Sequence, residues 1–177
     1  SVEIKCLNDT PAGQQFSITA GYPLDYGYGI NNLPREFGIP LEVGETKEFT
    51  TVEVVNRGDP IRIYGAPHIS KIDFSKMADK LSVVTINNVY EESLGTKLTN
   101  LIIGNPLTEN TVVSEISGLK QAVSLEYLDI RGMRGTTSLD LSNHSSFRVL
   151  KAYNTNITSV SLTKGAPVSI LELPSSI

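Results

Sequence analysis

From Leu125 to Ile177 apolar and polar positions follow one phrase written five times: LEYLDIRGMRG, TTSLDLSNHSS, FRVLKAYNTN, ITSVSLTKGAP and VSILELPSSI. Each copy places apolar residues as L-x-x-L-x-L, then a short polar stretch with Gly, Asn or Ser. The central apolar positions Leu128, Leu139, Leu150, Val160 and Leu171 are separated by 11, 11, 10 and 11 residues. Self-similarity at a short period predicts a solenoid, because one copy cannot bury its apolar face without the next. A full coil needs about twice that spacing, 21 or 22 residues, so each coil contributes two strands. Leu128, Leu150 and Leu171 are expected to stack in one parallel sheet and Leu139 and Val160 in the other, with a narrow core between.

The pattern begins loosely at Ile69. Ile72, Val84 and Leu101 take the central slots of ISKIDFSKM, LSVVTINNV and LTNLIIGNP. Between Pro106 and Ser124 the period breaks, and Ser114 to Ala122 predicts one or two helical turns capped by Ser114, with Gly118 weakening them.

Residues 1–66 have another grammar. VEIKCLN, QFSITAG, KEFTTVEVV and IRIYG are short β-branched and aromatic runs between turn-rich stretches, which predicts an antiparallel, sandwich-like β-domain. The solenoid, incomplete at its C-terminal end, then occupies residues 67–177, and the fold class is mainly β. The connection from Gly21 to Pro40 is too rich in Gly and Pro for a helix. Its Tyr22, Tyr26 and Tyr28, with Asp25, suit stacking on a sugar or gripping a protein, or simply packing over a sheet edge. Arg57-Gly58-Asp59 spells a receptor-recognition tripeptide, but before Pro60 it reads more simply as a strand-ending turn.

The expected register assigns an outer face to the first sheet. Tyr127 and Asp129, Val149 and Lys151, and Ile170 and Glu172 flank the central leucines and point outward. Asp129, Lys151 and Glu172 then form a row of alternating charge, which neighbouring parallel strands tolerate better than like charges. Arg131 is expected beside Tyr153 as a cation–π pair. These are ordinary solvated positions or the centre of a partner-binding face made of Tyr127, Asp129, Arg131, Lys151, Tyr153 and Glu172.

Composition removes several functions. With 15 basic against 19 acidic residues the net charge is -4, which argues against binding nucleic acid through clustered Lys and Arg. No apolar run reaches the ~20 residues that span a bilayer. The chain opens without a basic-then-apolar leader, so the expectation is that any signal peptide is already missing. It stops at Ile177 without a polar capping segment, so a longer parent chain or a covering subunit is expected. Cys6 is the single cysteine and reads as a buried apolar residue. His68 and His144 lie far apart, so neither a zinc site nor any other cofactor is expected. Asp9, Asp25 and Asp59 lack a calcium-loop spacing. Glu91 with Glu92, or Asp25 with Glu36, have no spacing that favours acid–base catalysis.

The run from Leu125 to Leu162 resembles the 21- to 22-residue leucine-rich repeats of Bacteroidetes surface proteins. LDLSN at Leu139 matches their second strand, and IDFSKM at Ile72 matches it loosely; Ala152 and the 106–124 insert depart from the pattern. The ending NTNITSVSLTKGAPVSILELPSSI is similar to repeat segments in tail proteins of crAss-like bacteriophages of gut Bacteroidales. Both resemblances imply an extracellular, non-enzymatic protein. The phage version implies a structural subunit of the virion tail packed in an oligomeric assembly against other subunits. The bacterial version implies a surface adhesin that binds a host protein or glycan.

Overall fold

The computed structural model describes residues 2–7, 10–21, 41–51, 60–63, 68–87 and 98–175, and these are mainly β. Four early strands, β1 (Val2–Cys6), β2 (Gln15–Ala20), β3 (Thr46–Thr50) and β4 (Ile61–Ile63), fall where alternation places them. In β2 the residues Phe16, Ile18 and Ala20 are all buried while their neighbours are half-exposed, the period-two pattern of a sheet with one covered face. The later strands are β5 (Ile69–Asp73), β6 (Leu81–Ile86), β7 (Asn100–Ile102), β8 (Ile116–Ser117), β9 (Tyr127–Asp129), β10 (Ser138–Leu141), β11 (Val149–Lys151), β12 (Ser159–Leu162) and β13 (Ile170–Glu172).

These strands form a seven-stranded sheet ordered β13-β11-β9-β7-β5-β2-β3, a four-stranded sheet ordered β4-β1-β6-β8, and the pair β10-β12. From β5 onward, successive strands alternate between the long sheet and the other two. Pairing from β5 to β13 is parallel, whereas β2 and β3 join the long sheet antiparallel. In the four-stranded sheet β1 is antiparallel to β4 and β6, and β6 is parallel to β8. Among the described residues one hydrophobic cluster extends from Val2 to Ile157, and strands from both halves of the chain share the two larger sheets. Phe16 stacks on Phe49 at 5.5 Å and meets Phe74 at 5.6 Å within it.

The expected registers are present: Leu128 stands opposite Leu150, Leu150 opposite Leu171, and Leu139 opposite Val160. Ile72 and Leu101 extend the same ladder. Ile72, in IDFSKM, thus lies in the sheet of Leu128 and not with Leu139. Many of the strands and loops end on the same local device. Asp73, Asp129 and Asp140 each accept a hydrogen bond from the backbone N–H two residues on, as do Asn105 and Asn110. A short side chain that substitutes for the backbone in this way turns the chain out of the sheet.

The expected helix over Ser114 to Ala122 is not formed. That stretch holds β8 and a single 3₁₀ turn, Leu119–Gln121, entered through Gly118 at φ +75° with no side-chain cap. A Cβ at Gly118 would lie 2.0 Å from the Ile86 carbonyl oxygen, so the backbones approach too closely for any other residue. The second 3₁₀ segment, Ser75–Lys80, buries Met77 and Ala78 against the core.

A candidate partner-binding face

The pleat puts two rows on the outer side of the long sheet. One runs through Lys71, Asn100, Tyr127, Val149 and Ile170, the other through Asp73, Ile102, Asp129, Lys151 and Glu172. Tyr127, Asp129, Lys151 and Glu172 are thus brought together as the register requires. Lys151 Nζ lies 3.8 Å from Glu172 Oε1 and 5.9 Å from the centroid of the Tyr127 ring, so one ammonium links two rows.

Two expectations for this face are corrected. Asp129 is not an exposed charge, being only 2% accessible. Arg131, two residues along the turn, folds back over it and donates from Nε to both carboxylate oxygens at 3.0 and 3.1 Å and from Nη2 to Oδ2 at 2.6 Å. Arg131 therefore spends its planar fork on Asp129 and does not stack on Tyr153. These hydrogen bonds raise the Arg131 pKa above its ordinary value, with burial opposing. The turn is held by close packing, since a Cβ at Gly104 would lie 2.2 Å from the Arg131 carbonyl oxygen.

Tyr153 stands apart from the rows. It follows β11 in a turn with Asn154 at φ 56°, and its side chain is 64% exposed. Tyr22, Tyr26 and Tyr28 lie outside the described residues, as do Asp25, Glu36, Asp9, Glu91, Glu92 and the Arg57-Gly58-Asp59 tripeptide.

Sequence reasoning missed the groove of about 270 Å³ beside this face, lined by Asp73, Ser75, Ile102, Asn105, Tyr127 and Arg131 among others. The signal was available in the matched strings KIDF and YLDI, which give Asp73 and Asp129 equivalent places one strand apart from β7. Asp73 accepts from the Ser75 N–H and Asn105 donates from Nδ2 to the Ser75 carbonyl at 3.1 Å, so the groove wall is fixed by its own turns. Chemically the face offers an aromatic ring, a half-buried ion pair and a bridging lysine, a set suited to holding a polar partner surface. Among the described residues no group of three or more His, Cys, Asp or Glu side chains is placed to hold a metal ion, and no helix is long and apolar enough to cross a membrane.

Compared with known proteins, the chain matches no family model, no curated protein and no solved structure.

Proposed function

We propose that this chain is a non-enzymatic structural and protein–protein interaction component, built as a leucine-rich-repeat solenoid with two strands per coil. The observation that carries the proposal is the alternation of successive strands between the long sheet and its opposite side, with Ile72, Leu101, Leu128, Leu150 and Leu171 in one register. Stacked repeats give a long, flat face, and protein partners engage such faces through aromatic and arginine side chains set among polar neighbours. Tyr127, Arg131, Lys151 and Glu172 supply that set here, and Tyr153 stands beside it.

The likeness of the NITSVSL and LELPSSI segments to phage tail repeats favours a virion setting, with the face packed on other tail subunits in an oligomeric assembly. The exposed ring of Tyr153 favours a second setting, a bacterial surface adhesin whose face meets a host protein or glycan. Antibody raised against this chain distinguishes them by immunogold microscopy. Label on the tails of purified phage particles is the expected result. Label confined to the surface of intact bacteria replaces the virion setting with the adhesin, and label on neither removes both.

A further inference from the structure

The strands on the side opposite the long sheet are interrupted once, and the interruption has a defined shape. Residues 110–113 and 133–136 run together in parallel at an offset of 23, through the Asn110–Met133 bridge and a 3.0 Å hydrogen bond from Thr136 Oγ1 to the Val113 carbonyl. At the 3₁₀ turn the two paths are joined again: Asn143 Nδ2 donates to the Lys120 carbonyl, and His144 Nε2 lies 3.0 Å from the Leu119 carbonyl. Between these closures the same offset places Ile116 level with Leu139 and Ser117 level with Asp140. Yet β8 and β10 are not paired. A groove of about 410 Å³ separates them, with Glu115, Ile116, Lys120, Ser138, Leu139 and Asp140 on its walls.

We propose that this window receives a short extended segment of a partner protein, which completes the sheet by pairing its backbone with β8 on one side and β10 on the other. Two strand edges that keep register across a gap leave unused main-chain donors and acceptors facing inward from both sides, the basis of strand addition. The size agrees. A residue within a sheet fills about 160 Å³, from its rise, the strand spacing and the sheet thickness, so the groove holds roughly three residues. The pleat then sets the sequence. Ile116 and Leu139 are each 6% exposed and face the core, so the middle residue is small and apolar. Glu115 and Asp140 lie on the exposed rim at the two outer levels, and Glu115 makes no ion pair among the described residues. With one rim lysine, Lys120, against two carboxylates, the favoured segment is basic–apolar–basic. This site is separate from the outer face of the long sheet and does not depend on how that face is used.

The test uses the whole chain and three blocked peptides: Thr-Lys-Val-Lys-Thr, Thr-Glu-Val-Glu-Thr, and the lysine peptide N-methylated at Val. Backbone amide shifts are followed by NMR. The lysine peptide is expected to shift residues 114–117 and 138–141 saturably, with a Kd below about 1 mM. The glutamate peptide should bind at least about tenfold more weakly, and N-methylation, which removes a ladder donor, should abolish the shifts. In the doubly substituted Glu115→Lys, Asp140→Lys chain the charge preference should invert. No shift in these two segments, or equal binding of the N-methylated peptide, overturns the proposal. The same amides shifting on raising protein concentration without peptide overturns it in favour of a second copy as occupant.

Discussion

The long sheet runs unbroken from β3 to β13, whereas the strands opposite it stop at β8 and resume at β10. The two sides share one core and one residue grammar, so composition does not separate them. The connections do. On the long side each strand from β9 onward returns after 22 or 21 residues and lands beside its predecessor. On the other side the interval is 32 residues from β6 to β8 and 21 from β10 to β12, and hydrogen bonds on either flank of the gap join the two paths without pairing β8 to β10. Parallel pairing therefore depends on the path between strands as much as on the strands themselves.

Truncation of the central leucines gives the largest contrast between the two sides. Leu128 is fully buried with a paired strand on each flank, while Leu139 is 6% exposed with a groove on one flank. Leu128→Ala is expected to cost about 3–5 kcal/mol, from lost burial plus a cavity that the paired neighbours cannot collapse into. Leu139→Ala should cost roughly half as much, because solvent reaches the vacated volume through the groove. Urea unfolding of the two variants measures both. Equal losses would mean that the groove gives Leu139 no relief.

The joined part of the interrupted side can be examined through Cys6. It stands opposite Leu81 in β1, and burial pushes its thiol pKa up to about 11 from 9.0. A raised folded pKa disfavours the thiolate, so the contribution is fully present below the unfolded pKa and disappears as pH rises from about 9 to 11. By linkage, stability should fall across that window by about 2–3 kcal/mol more than in Cys6→Ala. Thiol-reagent labelling at pH 8 should be slow in the native chain and fast in urea. A native rate matching the denatured one would show that β1 opens on its own.

The ladder of Leu128, Leu150 and Leu171 was legible because a fixed interval of apolar residues has few ways to bury itself. The fate of Asp129 was not. Alternation correctly puts it on the outer side, but its cover comes from Arg131 across a turn, an i to i+2 contact that no periodicity encodes. Asn110 was equally hidden. It donates to the carbonyls of Ala78 and Leu81 and accepts from the N–H groups of Val112 and Val113, satisfying its whole amide inside the protein. An asparagine in ENTVV reads as a loop residue because polar side chains usually are; only its distant partners, some 30 residues earlier, make it part of the core. The 114–122 helix failed for a local reason, since Gly118 adopts a left-handed conformation that ends the run.

The smallest effects separate two carboxylates in one row of the unbroken sheet. Asp129 is covered and bound in a bidentate manner by Arg131, while Glu172 is about 40% accessible and sits 3.8 Å from Lys151. Asp129→Asn keeps the shape but leaves the guanidinium without its counter-charge, and hydrogen bonds to charged groups are worth about 1.5–3 kcal/mol. Glu172→Gln weakens a solvated pair, for which about 0–1 kcal/mol is usual. Salt sharpens the difference: at 1 M NaCl the small Glu172 effect should vanish, because the Debye length falls to about 3 Å, while the covered Asp129 pair keeps most of its effect. If both substitutions respond alike to salt, Arg131 does not shield Asp129 in solution, and the row is an ordinary solvated face along its whole length.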